Sequence, residues 1–262
     1  MRKKLLFILL TALPFCANAQ LGFMLSVEGG FAGSTVNSKQ IPAFLAGYNL
    51  NNAAPEFTQP FKEKNGLAKG RYLGFTLGMG GAECKMALII DFYKMSTPKN
   101  EARFSNGYGR NVWTEIKETS SEVGVNFYQG KFVAGFEFVI SLRTNSIYSE
   151  YVFPDGSTSM GNDHSLNGIY SDLTFGPGIG INVGYKILPF LVATAKSDYI
   201  FGVSGQHPEY HQYSDLQNFK TIENLPQTYT TSPGSGNAVY NDIKGLRFSF
   251  GLTFLLTTDD KE

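Results

Sequence analysis

Long apolar runs are what this chain most plainly lacks. After residue 19 no stretch approaches the roughly 20 apolar residues of a membrane-crossing helix, so a membrane reading has to rest on strands. Strands leave a weaker hydropathy trace, because every second residue can be polar. Cysteine is scarce as well. Of Cys16 and Cys84 only the second lies beyond the opening segment, which excludes an intrachain disulfide in a processed chain and leaves Cys84 as a small residue beside a turn. No Pro/Ser linker, low-complexity run or solenoid repeat divides the sequence.

Neither sign of charge dominates, with 22 Lys and Arg against 22 Asp and Glu. The opening segment places Arg2, Lys3 and Lys4 before the apolar run Leu5 to Leu10 and reaches Ala17, Asn18 and Ala19 ahead of Gln20. That is the pattern of a cleaved secretory leader over residues 1–19. Phe15 stands where a lipid-attachment signal at Cys16 would carry a small residue. Cleavage would leave 19 basic against 22 acidic residues, a net charge of −3, which argues against nucleic acid as a partner.

What is present is alternation. From Tyr170 to Tyr185, Leu173, Phe175, Pro177, Ile179, Ile181 and Val183 alternate with Asp172, Thr174, Gly176, Gly178, Gly180, Asn182 and Gly184. A period of two makes a strand with one apolar face. Its length exceeds the usual 5–6 residues of a soluble strand and suits a tilted crossing of a hydrocarbon layer, which takes about 9–11. Four glycines on the polar face imply a curved wall around a crowded interior.

Seven further stretches alternate similarly, giving eight near residues 20–32, 71–81, 84–96, 113–128, 131–147, 168–187, 189–203 and 245–257. The connections at 81–83, 129–130 and 188–189 are tight, whereas those at 33–70, 97–112, 148–167 and 204–244 are long. Consecutive antiparallel strands then put every tight turn at one end and every long loop at the other. This is the expected form of a closed, all-β, eight-stranded up-and-down barrel of an outer membrane, occupying residues 20–262 as one domain. The alternative is a soluble lipocalin-like barrel with the apolar face inside. The small, glycine-rich polar face and the bulky apolar face favour apolar outward.

Residues 174–204, TFGPGIGINVGYKILPFLVATAKSDYIFGVS, and 244–256, KGLRFSFGLTFLL, resemble the C-terminal half of the PorT-like and related small outer-membrane β-barrel families, an eight-stranded architecture of OmpA/OmpX-like kind. The resemblance covers about half the chain and rests on a glycine-alternating strand, a tight turn, an aromatic-ended strand and a closing G-L-x-F strand. It implies location in the outer membrane, says little about activity, and points to a component of an envelope export or assembly complex. The chain departs from many such barrels by continuing through Thr257 to Glu262 instead of ending on an aromatic residue.

An eight-stranded barrel has an interior barely wide enough for its own side chains. Glu28, Asp91, Glu122, Glu137, Lys196 and Arg247 fall near one level of the polar face and form the expected lumen charge layer, a structural plug. A narrow cation path is the competing reading. Closure makes the first and last strands neighbours, so Glu28 with Arg247 is the expected pair. Tyr72, Tyr93, Tyr148, Tyr170, Tyr185, Tyr199 and Trp113 lie near strand ends and fit an interfacial aromatic girdle.

His164, His207 and His211 lie in the long loops. The last two are four apart, a zinc-binding spacing when a helix aligns them, but Pro208 and the loop setting oppose a helix. Ser204 or Ser214 with a loop histidine and Asp215 would make a triad of a lipid-modifying barrel enzyme, but no nucleophile elbow supports it. No catalytic, cofactor or metal residue is therefore assigned. The reading is a monomeric, non-enzymatic scaffold in contact with outer-membrane lipid. Its loops, carrying Phe44, Tyr48, Phe57, Phe61, Tyr210, Tyr213, Phe219 and Tyr229, serve an external or envelope partner or cover the barrel mouth.

Overall fold

The computed structural model describes residues 22–36, 45–46, 48–49, 52, 55–62, 66–160, 167–201 and 244–257. The leader, the three histidines, Ser204, Ser214 and Asp215 lie outside these, as do Phe44, Tyr210, Tyr213, Phe219 and Tyr229.

Eight strands form a ring: β1 (Gly22–Thr35), β3 (Leu67–Gly80), β4 (Cys84–Ser96), β6 (Gly109–Gln129), β7 (Phe132–Val152), β9 (Gly168–Leu188), β10 (Leu191–Ile200) and β11 (Gly245–Thr257). Each pairs antiparallel with its neighbour, β6 joins β7, and β1 joins β11, so the ring closes on itself. Closure satisfies backbone groups that hydrocarbon could not. The tight β6–β7 turn is made by Gly130, whose φ of 59° suits glycine.

Facing follows residue parity. Phe23, Leu25, Val27 and Phe31 of β1 point outward and are exposed, Phe31 by 71%, while Met24, Ser26 and Glu28 are buried. Phe75, Leu88, Phe132, Ile181, Tyr199 and Phe254 carry the same belt around the other strands. The buried set is the reverse of a water-soluble core, with Glu28, Asp91, Glu118, Glu122, Glu137, Arg143, Lys196, Asp198 and Arg247 all inside.

The lumen wall explains two glycines. Gly74 sits between Glu28 and Asp91 on the adjoining strands, and Gly180 between Glu137 and Asp198. A Cβ at either position would collide with both neighbouring acidic side chains. Gly74→Ala is expected to cost about 1–3 kcal/mol through overpacking, read as a lower midpoint of urea unfolding in detergent. An unchanged midpoint would mean that the lumen is not packed.

Two of the expected loops, 97–112 and 148–167, contain strand. β6, β7 and β9 are 21 residues each, about 70 Å along the chain, far more than a crossing needs. Beyond the belt β6 and β7 continue as a hairpin flanked by β5 (Asn100–Phe104) and β8 (Thr158–Ser159), and β5 is edged by β2 (Phe57–Gln59). Their alternation is masked in sequence because residues of both parities are buried here, Arg110, Asn111 and Val112 in succession. The turns are nonetheless spelled out. Asn106-Gly107 and Asp155-Gly156 are hairpin dipeptides, with φ of 85° and 82° at the glycines, and Asp155 Oδ1 accepts from Ser157 N at 2.9 Å.

Candidate functional site

Three cations organise the lumen. Lys196 Nζ, on β10, donates to Glu28 Oε1 of β1 and to Asp91 Oδ2 of β4 at 3.1 Å, with Glu122 Oε2 of β6 at 3.8 Å. Arg247, on β11, spreads its fork over three carboxylates: Nε to Asp198 Oδ2 at 2.8 Å, Nη1 to Glu118 Oε1 at 2.7 Å, and Nη2 to Glu122 Oε1 at 2.7 Å. Arg143, on β7, donates to Glu118 Oε2 at 2.9 Å and to Ser34 Oγ of β1 at 2.9 Å. A planar guanidinium suits this bridging geometry, which lysine cannot reproduce.

Hydroxyls and rings complete the network. Tyr93 donates to Asp91 Oδ2 at 2.9 Å, Ser120 to Glu122 Oε1 at 2.7 Å, Ser141 to Glu118 Oε1 at 2.5 Å and Thr253 to Glu28 Oε2 at 3.1 Å. The Arg247 guanidinium lies 4.2 Å from the Tyr93 ring centre, and Tyr72 stacks on that ring at 5.6 Å. Asn182 Nδ2 reaches Glu137 Oε2 at 3.4 Å. Every strand of the ring contributes a side chain. Five of the carboxylates, Glu28, Asp91, Glu118, Glu122 and Asp198, form ion pairs with these three cations.

Glu28 and Arg247 do not pair. The closing seam sets Glu28 opposite Thr253 and Arg247 opposite Ser34, six residues further up β1, and Lys196 takes Glu28 instead. Barrel shear, which alternation does not report, is the reason. Tyr72 and Tyr93 also depart from the expected girdle, being buried inside with 5% and 3% exposure. Other aromatics do lie outside near the belt's limits: Phe132 meets Tyr185 at 5.3 Å, Tyr199 meets Phe201 at 5.3 Å, and Trp113 stacks on Tyr148 at 5.0 Å. Glu118 was missed by sequence reasoning, although it shares the inward parity of Glu122.

Toward the tight turns the lumen retains a cavity of about 50 Å³, lined by Ser26, Thr76, Asn126, Asn182 and Thr253 with apolar neighbours, room for a few waters. Toward the long loops the strand extension has its own polar contacts. Glu150 accepts from Lys99 Nζ at 2.8 Å and Asn111 Nδ2 at 2.7 Å. Burial pushes its carboxyl up, but these hydrogen bonds and the lysine charge outweigh that and hold it below its ordinary value. The first loop packs on itself: Tyr48 meets Phe61 at 5.0 Å, Asn49 Nδ2 donates to Phe61 O at 2.9 Å, and Phe57 meets Phe104 of β5 at 5.0 Å.

No protein-family model matches the chain, and no curated protein matches it. Solved structures do resemble it. Ail, the attachment invasion locus protein of Yersinia pestis, is 10% identical with a TM-score of 0.42, over 89% of this chain and 98% of Ail. Neisserial surface protein A is 12% identical with a TM-score of 0.39, over 88% and 96% of the two chains. OprG of Pseudomonas aeruginosa is 10% identical with a TM-score of 0.37, over 91% and 98%. Likeness at this level adds nothing to what the strand pairings and the apolar belt already establish. This is an outer-membrane β-barrel.

Proposed function

We propose that the protein is a monomeric, non-enzymatic anchor whose sealed barrel carries a strand-built platform, presenting its long loops outside the cell to an external or envelope partner. The observation that carries this is the combination of a lumen filled by its own ion network with strands that run far beyond the belt. A filled lumen has no diffusion path, so the material beyond the belt is the part available for recognition. Residues 1–19 act as the export leader, and the tight turns face the periplasm. The buried charges hold the lumen shut and conduct nothing.

Surface proteolysis of intact cells tests the arrangement. Cleavage within 37–66 and 202–244, with a protease-resistant membrane fragment and a processed start at Gln20, is the expected result. Resistance of both loops on intact cells and cleavage only after the envelope is broken would invert the topology. His164→Ala, His207→Ala and His211→Ala should each leave lipid A composition unchanged. A change in any of them would replace the anchor with a lipid-modifying enzyme.

A further inference from the structure

The outer wall just past the apolar belt carries an arrangement that strand pairing normally avoids. Arg71 of β3 lies directly opposite Lys94 of β4, and Lys94 directly opposite Lys117 of β6. All three share the outward parity of Leu73, Phe92 and Val123, and all are exposed. Lys69, two residues along β3, is a fourth exposed outward cation. Cβ atoms of such cross-strand neighbours sit about 4.5–5.5 Å apart, and like charges so placed destabilise a sheet. Cations further up are paired, Lys99 with Glu150 and Arg103 with Glu101. Among the described residues these four have no ion-pair or hydrogen-bond partner, and the nearby outward Glu115 is turned to Tyr148.

The row continues into a groove. On the same level Arg71 pairs with Phe31 of β1 and Phe31 with Phe250 of β11, while one level on Lys69 pairs with Gly33 and Gly33 with Phe248. The rings of Phe31, Phe248 and Phe250 border a hollow of about 380 Å³ whose other bank is Lys69 and Arg71. Apolar walls facing hydrocarbon on one side and an unneutralised comb of cations on the other are complementary to one kind of molecule, an amphiphile with an anionic head.

We propose that this face binds a phosphorylated lipid of the leaflet at the long-loop end. The groove takes an acyl chain, and Arg71, Lys94, Lys117 and Lys69 take the headgroup phosphates. Guanidinium and ammonium groups are the usual phosphate ligands, and basic residues at a membrane surface each add roughly fivefold to anionic-lipid affinity. The site rests on the reading of the belt as lipid-facing.

Native mass spectrometry of the full chain released from mixed nanodiscs tests it, with lipid A, phosphatidylglycerol and phosphatidylcholine in competition. Retention of lipid A or phosphatidylglycerol over phosphatidylcholine is expected, and which of the two is held identifies a glycolipid or a phospholipid source. Arg71→Gln, Lys94→Gln and Lys117→Gln should each lower that retention about fivefold, and together about a hundredfold. In a neutral detergent the triple variant should unfold no earlier than wild type, because its like charges no longer face each other. Insertion of both proteins with identical lipid retention overturns the site and leaves the barrel's membrane placement standing. Failure of the wild-type chain to insert overturns both.

Discussion

Arg247→Met is expected to cost the folded barrel about 3–5 kcal/mol, the loss usual when one partner of a buried ionic network is removed. Arg247 is fully buried and, among the described residues, is the one cation touching Glu118, Glu122 and Asp198 together. Without it Glu118 retains Arg143 and Glu122 retains a longer contact with Lys196. Asp198 has no second ion-pair partner among the described residues. Water cannot easily enter to compensate, because strands from around the ring fill this level with side chains. Arg247→Lys should fall between, keeping the charge while losing the fork. Urea unfolding in detergent micelles provides the measurement. A methionine variant within about 1 kcal/mol of wild type would show that the network contributes packing volume rather than charge balance.

Ile181→Arg is expected to cost about 2–4 kcal/mol in a bilayer if the belt meets acyl chains near mid-depth. Ile181 is 61% exposed and lies within the outward row from Leu173 to Tyr185, paired on one side with Phe136. In a water-soluble barrel of the same shape an exposed arginine would be neutral or helpful. The measurement is therefore the difference between wild type and variant in refolding into lipid vesicles. Equal refolding yields and stabilities would remove hydrocarbon from the surroundings of β9.

Strand existence and facing were legible because the belt and lumen impose opposite chemistry on alternate residues. Leu246, Phe248, Phe250, Leu252, Phe254 and Leu256 could hardly be read otherwise, and the closed ring follows from the tight-turn and long-loop spacing. The pairing of Glu28 with Lys196 was not legible. Parity tells which wall a residue faces, but height around a ring depends on strand tilt and stagger, which no single strand encodes. The same gap hid Tyr72 and Tyr93, whose positions near strand ends looked interfacial although their parity matched Asp91 and Gly74. The β5–β6 and β7–β8 hairpins were hidden for a different reason. Past the membrane neither face is uniformly apolar, so Glu101 to Thr114 lacks the contrast that betrays a crossing strand.

The long uninterrupted β6–β7 ladder has a bearing on assembly. Joined by a two-residue link and paired from Gln129 with Phe132 outward without a register shift, this hairpin can zip from its turn, a local event on the microsecond scale. The seam between β1 and β11 joins chain segments more than 200 residues apart and carries the largest entropic cost of any pairing in the ring. Glu28 meets Lys196, and Arg247 meets Glu118, only when distant parts of the chain have come together around the circle. Those ionised groups must stay hydrated on an unfinished, curved sheet until that moment, and expelling their water becomes the concluding act of folding.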